Sequence, residues 1–203
     1  MTPAPPAALV TRRRLSPDQQ ERRRRVVQVA SALAEQGGYD AVAMKDVAEQ
    51  SGVALGTLYR WFASKDHLLG EVLLEWGARV AGDLRANPPD APSGPERIIE
   101  FVRRLSAVVG TYPHLVGAVT SAMLSLDPNV LEHQDDFHEM VVDWIDTALG
   151  ELDIPQRESV IEVLEAVCFA AIIDLVSGRL TPEGFGTKLE RAARLLLASP
   201  ARD

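Results

Sequence analysis

The apolar positions of the chain recur at intervals of three and four residues along most of its length, without the alternation that is typical of strands. This period predicts an all-α protein of about nine helices. Several helix starts are marked by a capping residue or a proline, as at Ser16-Pro17, Ser93-Gly94-Pro95 and Thr181-Pro182. The predicted helices span about 17–36, 44–51, 55–61, 65–86, 95–110, 113–125, 128–149, 155–178 and 182–198.

The stretch VAEQSGVALGTLYRWFASKDHLL, residues 47–69, contains two short apolar-periodic segments separated by Ser51-Gly52-Val53. Two short helices joined by a glycine-containing turn predict a helix-turn-helix, with Val47, Ala48, Val53 and Leu58 in its interior. In such a unit the second helix enters the major groove of DNA, which is wide enough to admit it. The alternative is a helical hairpin that only packs within the protein.

The candidate DNA contacts lie on the second helix and on the basic residues around it. Gly56 lets the backbone approach DNA closely, and Thr57 and Tyr59 can donate to phosphates. Arginines near the start of the first helix are expected to clamp phosphates together with Arg12–Arg14, although a solvated helix face is the alternative for such a run. The full set is Lys45, Leu55, Gly56, Thr57, Tyr59, Arg60, Lys65, Arg22 and Arg23.

The distribution of charge supports this interpretation, although the net charge of −8 alone argues against a nucleic-acid partner. The first 67 residues carry ten Lys/Arg and seven Asp/Glu, and the remaining 136 carry 11 and 22. A net charge of +3 therefore precedes one of −11. A basic segment on an acidic body indicates a nucleic-acid-binding portion.

The stretch GGYDAVAMKDVAEQSGVALGTLYRWFASKDHLL resembles the DNA-binding domain of the TetR family of one-component bacterial regulators. The likeness is close over about 38–69 and looser over about 20–85. It implies an all-helical, dimeric, ligand-responsive protein that represses transcription. Ala43 and Ala54 depart from the family, which often has Thr or Ser there as helix caps, and each missing cap costs about 1 kcal/mol.

The predicted domains are a disordered arm over 1–16, a helix-turn-helix DNA-binding domain over 17–67, and an effector-binding and dimerisation domain over 68–203. The Pro-rich segment NPPDAPSGP follows the fourth helix. No apolar run predicts a membrane span, and the order of apolar and basic residues at the start does not fit a signal peptide. The single Cys168 excludes an internal disulfide, and a cytoplasmic location is expected.

Residues beyond about 95 carry few motifs, as expected of a sensor domain. The predicted helix 155–178 is apolar on more than one face, and together with the last helix it suits a homodimer interface, with a single-subunit core as the alternative. The apolar candidate lining predicts a hydrophobic small-molecule effector such as a lipid, a steroid or an acyl-CoA derivative. The stretches YPHLVGAVTSAM and KLERAARLLL are similar to the subgroup that represses steroid and cholesterol catabolism, which favours a steroid. The predicted contacts of the effector are Trp76, Phe101, Leu105, Met123, Phe137, Trp144, Phe169 and Ile173.

The sequence favours a ligand-controlled repressor of an inverted-repeat operator in double-stranded DNA over several competing functions. The segment EHQDDFHEM could bind a metal, but His133 and His138 are five residues apart and do not share a helix face, so a solvated acidic face is favoured. Motifs for catalysis or for a cofactor are absent from the sequence, so neither an enzyme nor a cofactor is expected. A drug-efflux repressor of the same family and a ligand-independent architectural DNA-binding protein also compete with the favoured function.

Overall fold

A computed structural model describes residues 16–198, so residues 1–15 of the predicted arm over 1–16, with Arg12–Arg14, lie outside the described residues. Ser16, the last residue of that arm, is the N-cap of α1. Within this range the chain forms nine α-helices, in agreement with the sequence prediction. They are α1 (Pro17–Ala41), α2 (Met44–Ser51), α3 (Leu55–Trp61), α4 (Lys65–Ala86), α5 (Gly94–Thr111), α6 (Pro113–Met123), α7 (Pro128–Leu149), α8 (Arg157–Val176) and α9 (Pro182–Leu196). None of the helices in this range is long and apolar enough to cross a membrane.

Local capping explains where several helices begin. Ser16 accepts a hydrogen bond from the Gln19 N–H at 3.3 Å and the Gln19 side chain accepts from the Ser16 N–H at 2.9 Å, which completes the predicted capping box. Thr181 accepts in the same way from the Gly184 N–H at 3.1 Å. Ser93 differs, because its hydroxyl donates to Glu96 and makes no hydrogen bond to the helix backbone. Ala43 and Ala54 provide no side-chain cap for α2 and α3, as predicted.

Most predicted helix ends lie within two residues of the observed ones, and the ends of α1 and α8 show why some differ. The helical assignment of α1 continues to Ala41 across a kink, where Gly37 and Gly38 are non-helical and Gly38 has φ 71°. The prediction of a stop at these glycines is therefore right for the backbone conformation, although helical geometry resumes beyond them. At α8 the predicted start near Pro155 is early, because Gln156 is left-handed at φ 54° and the helix begins at Arg157.

The described part of the chain has two hydrophobic clusters that meet along α4. One joins α1, α2 and α3 to the first half of α4 and to α6, with Phe62, Leu68 and Leu69 fully buried. The other joins the second half of α4 to α5, α7, α8 and α9, around Trp144 and Phe185. We call α1–α3 the head and α5–α9 the body. The helix α4 therefore contributes to both clusters and connects the head to the body.

Candidate nucleic-acid interface and ligand cavity

The turn between α2 and α3 fixes the orientation of the exposed helix α3. Gly52 is left-handed at φ 68°, and its N–H donates to the carbonyls of Ala48 and Glu49 at the end of α2. The Val53 N–H donates to the Ala48 carbonyl at 3.0 Å, and Ala48 is buried where the two helices meet. A left-handed residue and a small residue are therefore required at these two positions, which accounts for the Ala-x-x-x-Gly spacing.

The helix α3 has one buried side and one exposed side. Leu58 is fully buried, whereas Leu55 and Tyr59 are 41% and 49% exposed. Gly56 lies on the exposed side, and a Cβ built there meets nothing within 4 Å. The Arg60 guanidinium donates to the Thr57 hydroxyl at 3.0 Å, which keeps the two side chains together. The structure thus gathers the predicted residues of α3 on one open surface.

The first turns of α1 lie beside this surface. Gln19 and Arg22 of α1 line a cleft of about 420 Å³ together with Thr57 and Arg60 of α3, and the α2–α3 turn forms its remaining wall. Arg22 and Arg60 place two guanidinium groups on a cleft only partly closed by protein. Cationic forks of this kind bind phosphate oxygens in two-point contacts. Lys45 is also exposed, on α2.

Arg23 corrects the predicted set of DNA contacts. Its Nη1 and Nη2 atoms donate to the two carboxylate oxygens of Glu71 at 2.6 and 2.7 Å, and its Cζ atom lies 4.8 Å from the centre of the Phe62 ring. The guanidinium is therefore satisfied inside the protein and does not serve as a free phosphate clamp. The signal was present in the sequence, because residue 23 shares a helix face with the buried Val26, Val27 and Ala30.

Lys65 is held at the junction between the kinked end of α1 and the start of α4. Its Nζ atom lies 3.6 Å from the centre of the Tyr39 ring and donates to the Tyr39 carbonyl at 3.1 Å. The Tyr39 hydroxyl donates to Asp66 at 2.5 Å, and burial together with this hydrogen bond raises the pKa of Tyr39 to about 12. Lys65 therefore adds charge to the first turn of α4, while its side chain is packed rather than free.

A buried polar cluster connects the head to the body. We call Arg23, Glu71 and His133 the head–body joint, because these residues belong to α1, α4 and α7. His133 is buried, and its Nε2 atom lies 3.3 Å from the second Glu71 oxygen while Nδ1 lies 3.2 Å from the Asn129 carbonyl. The joint was missed by sequence reasoning, which assigned the region around His133 to a solvated face.

The charge states of the joint are mutually stabilised. Burial alone would raise the pKa of Glu71, but the hydrogen bonds from His133 and Arg23 and the positive charge of Arg23 lower it to about 2. The same hydrogen bond to Glu71 raises the pKa of His133 despite its burial. His67, whose ring centre is 5.1 Å from that of His133, has a pKa lowered by burial and by the charge of His133. The joint therefore favours a protonated His133 beside a neutral His67.

A large apolar cavity, which we call the main cavity, lies in the body among α4 to α8. Its volume is about 450 Å³, within the range of small-molecule sites. Apolar side chains form most of its wall, namely Leu73, Trp76, Leu105, Val109, Leu115, Val116, Val119, Met123, Leu124, Leu126, Leu131, Phe137, Val141, Trp144, Cys168, Phe169 and Ile172. The polar lining residues are Thr120, Ser125, Gln134, His138 and Glu165.

The aromatic side of the main cavity is centred on Trp144. The rings of Trp76 and Phe137 stand edge-on to Trp144, with centroids 6.2 and 6.0 Å away. The Trp144 Nε1 atom is buried without a hydrogen-bond partner in the described part of the chain. An unpaired buried donor of this kind costs about 1–3 kcal/mol. The ring of Trp144 lines the cavity, while its Nε1 atom is enclosed by the surrounding protein.

Six of the eight predicted effector contacts line the main cavity. They are Trp76, Leu105, Met123, Phe137, Trp144 and Phe169. Phe101 and Ile173 do not, which corrects their assignment. Phe101 lines a second cavity of about 280 Å³ beside α1, and Ile172 rather than Ile173 faces the main cavity because successive helix residues point about 100° apart.

The outer surface of α8 and α9 keeps apolar side chains exposed. Val163, Phe169 and Val176 of α8 are 43%, 45% and 40% exposed, and Leu195 of α9 is 75% exposed. Other apolar residues of these helices, such as Ala171 and Leu189, are buried within the subunit. These two helices therefore contribute to the core of the subunit and also present an unpaired apolar surface.

The carboxylates and histidines of the described residues form no cluster of three or more groups suited to a metal ion. His133 belongs to the joint, and the His138 Nδ1 atom lies 3.3 Å from Glu165 across α7 and α8. The two histidines thus face different partners, in keeping with the spacing argument from the sequence. The acidic residues Asp135, Asp136 and Glu139 between and after them are exposed, as expected of a solvated face.

Comparison with known proteins agrees with this arrangement. Residues 26–72 match the model of the bacterial regulatory proteins, tetR family. The HTH-type transcriptional repressor KstR of Rhodococcus jostii RHA1 is 30% identical over 178 residues, which cover 87% of this chain and 83% of that protein. KstR of Mycobacterium tuberculosis is 27% identical over 173 residues, covering 85% and 79%.

The fold is shared with solved structures. A TetR transcriptional regulator from Rhodococcus sp. RHA1 superposes with a TM-score of 0.78 at 24% identity, covering 91% of this chain and all of that one. A tetR-family regulator from Streptomyces coelicolor has a TM-score of 0.64 at 19% identity, with coverage of 87% and 80%. The chain belongs to the TetR family of transcriptional repressors, close to the KstR subgroup, and is a DNA-binding regulator rather than an enzyme.

Proposed function

We propose that the protein is a ligand-responsive dimeric repressor that binds an inverted-repeat operator and is released from it by a hydrophobic small molecule. The observation that carries the proposal is the combination of an exposed α3 in the head with an apolar cavity in the body, joined by α4. As a regulator of a bacterial chromosome it would act in the cytoplasm. The domain division at 17–67 and 68–203 is retained as part of this proposal.

The DNA contacts are assigned to the surface of α3 and to the residues beside it. Leu55 and Tyr59 face outward, where Leu55 is positioned to reach base edges in the major groove and Tyr59 to donate to a phosphate. Gly56 between them lets the backbone approach the DNA closely. Thr57, Arg60, Arg22 and Lys45 supply phosphate contacts from the cleft and its surroundings, and Lys65 adds charge at the start of α4. A leucine at position 55 favours contact with a thymine methyl group.

Dimerisation is assigned to the exposed apolar surface of α8 and α9. Val163, Phe169, Val176 and Leu195 would be covered by the same residues of a second copy across a two-fold axis. A dimer is also required by the geometry of recognition, because one short helix contacts few base pairs. Two α3 helices reach half-sites about 34 Å apart or a multiple of it.

The effector is assigned to the main cavity. A volume of about 450 Å³ with a mainly apolar wall suits a hydrophobic molecule, and the likeness to repressors of steroid catabolism favours a steroid or an acyl-CoA derivative. The effector must bind better to a conformer with wrongly spaced heads, because only a difference in affinity shifts a population. Trp76 lines the cavity five residues after Glu71 of the joint, so α4 connects the effector site to the head.

The test begins with selection of bound sequences from random DNA duplexes by the purified protein. We expect an inverted repeat to be enriched, and we expect Tyr59→Ala to lower affinity for it at least tenfold while the fold and the dimer persist. Tyr112→Ala is the matched control, because Tyr112 is also an exposed tyrosine, at 41%, but lies between α5 and α6. If the Tyr59 variant kept its specific affinity, the surface that recognises DNA would have to lie elsewhere than around Tyr59.

Absence of any enriched sequence, with binding that depends only on salt, would instead favour a ligand-independent architectural protein. A specific operator that no steroid or acyl-CoA releases, but that a cationic drug releases, would favour the drug-efflux type of repressor. Each outcome therefore identifies one function and excludes the rest.

A further inference from the structure

One ionisable pair stands at the wall of the otherwise apolar main cavity. Glu165 of α8 lines the cavity with a side chain only 19% exposed, and its Oε1 atom lies 3.3 Å from the His138 Nδ1 atom of α7. His138 is 57% exposed, so its ring is mostly solvated. None of the described lining residues is a lysine or an arginine. The cavity thus has a carboxylate at its wall and no permanent cation to neutralise a bound anion.

The side chains that surround Glu165 on the cavity wall are mainly apolar. Cys168, one turn further along α8, has a pKa raised to about 12 by burial and, secondarily, by the negative charge of Glu165. Apolar side chains cover the neighbouring wall, including Phe169 and Ile172. A charge interaction across such a wall is screened less than one in water. A second anion beside Glu165 would lose its hydration and gain only repulsion.

We propose that the main cavity selects an apolar molecule whose buried end is a hydrogen-bond donor, an alcohol or an amine, and rejects a molecule whose buried end is a carboxylate or phosphate. Glu165 accepts the hydrogen bond of the donor, and His138 holds the carboxylate in place. This inference rests on the proposed function and narrows its effector to sterol-like alcohols or amines.

The selectivity is measured with three probes that share a ten-carbon chain, namely 1-decanol, decylamine and decanoate. Trp76 and Trp144 line the cavity, so a change in tryptophan fluorescence reports occupancy in the absence of DNA. We expect wild-type protein to bind 1-decanol and decylamine at least tenfold more tightly than decanoate.

Glu165→Gln keeps the shape of the side chain and removes its charge. The affinity for decanoate should therefore rise at least tenfold, the affinity for decylamine should fall by about the same factor, and the affinity for 1-decanol should change little.

Glu162→Gln is the matched control, because Glu162 is an exposed glutamate on α8 that does not line the cavity. It should leave all three affinities unchanged. Decanoate binding as tightly as decylamine to the wild type, an unchanged order in Glu165→Gln, or no saturable binding of any probe would overturn the inference. Operator release is measured separately on the selected duplex. A failure of release with the expected probe order would therefore count against the proposed function and not against the cavity selectivity.

Discussion

The head–body joint and the main cavity are built from neighbouring residues of α4 and α7, yet their physical chemistry is opposite. Glu71 and His133 belong to the joint, whereas Leu73 and Gln134 line the cavity. In the joint, directional hydrogen bonds satisfy both oxygens of a partly buried carboxylate. The cavity wall is apolar, encloses empty volume and leaves Trp144 Nε1 unpaired.

The difference between the polar joint and the apolar cavity indicates that two parts of the same helices have different mechanical properties. The joint resists rearrangement because moving either helix breaks charged hydrogen bonds in a partly buried site. The cavity accommodates change because apolar contacts are individually weak and non-directional. Under the proposed function, a molecule that enters the cavity would displace α4 and α7, and the joint would convert that displacement into a movement of α1 in the head. Four predictions test this contrast.

The largest effect is expected from Glu71→Ala, which removes the acceptor shared by Arg23 and His133. Two partly buried cationic groups would then lack their partner, and breaking a buried pair in this way costs about 3–5 kcal/mol. Urea unfolding measures the loss in the free energy of unfolding. Glu139→Ala, an exposed glutamate on α7, is the control and should change it by less than about 0.5 kcal/mol. Equal effects of the two substitutions would show that the joint does not stabilise the folded protein.

The next effect is a dependence of stability on pH. The pKa of Glu71 falls from 4.5 in the unfolded chain to about 2 in the folded protein, so its contribution is present above pH 4.5. The contribution is lost as the pH falls from 4.5 towards 2, by about 2–3 kcal/mol. The difference in free energy of unfolding between wild type and Glu71→Gln should shrink by this amount across that window. A difference that is independent of pH would contradict the assigned charge.

His133 and His67 change the free energy of unfolding at a higher pH than Glu71 does, and in opposite directions. The raised pKa of His133 gives a contribution that is present below pH 6.5 and is lost as the pH rises through its folded value. The lowered pKa of His67 gives one that is present above pH 6.5 and is lost as the pH falls. Since these contributions oppose each other, the Glu71 window is the clearer measurement.

The helices and the joint differ in how far the sequence could predict them. Helix positions follow from apolar periodicity and from caps such as Ser16 and Thr181, which are local signals. The joint pairs residues 48 and 62 positions apart in the chain, a distance that periodicity does not address. The apolar periodicity does show that residue 23 faces inward. It also places His133 on one helix face with the buried Val130 and the half-buried Phe137. Which polar groups meet there depends on tertiary packing.

The candidate DNA surface was predicted more completely than the cavity, because it depends on local sequence and the cavity depends on tertiary packing. The turn at Gly52 and the short helix after it are set by local sequence, so the outward face of α3 follows from residue spacing. The cavity depends on how five helices pack, and apolar spacing does not distinguish a residue on its wall from one in the adjoining core. Phe101 and Ile173 do not line the main cavity, although Phe101 packs beside Trp144 and Ile173 lies one turn after Phe169 on α8, and both of those residues line it.

A third prediction concerns the space that α4 leaves for the joint. A Cβ at Gly70 would lie 3.1 Å from Cγ and 3.3 Å from Cβ of His133, closer than side chains pack comfortably. Gly70→Ala should therefore push the ring away from Glu71 and lower the free energy of unfolding by about 1–3 kcal/mol. Gly82→Ala on the same helix meets nothing within 4 Å and should raise it by about 0.5–1 kcal/mol. The same sign for both would show that helix propensity outweighs the contact with His133.

The smallest effect is expected on the cavity side, from Trp144→Phe. The substitution removes the unpaired Nε1 donor, which offsets about 1–3 kcal/mol of the cost of the lost ring atoms. Phe137 and Trp76 can still pack edge-on against the smaller ring. The free energy of unfolding should therefore fall by less than about 1 kcal/mol, against the 3–5 kcal/mol common for loss of a whole buried aromatic side chain. A loss as large as that of Glu71→Ala would mean that the cavity wall is as rigid as the joint, and that the contrast between the two regions does not govern the response to a bound molecule.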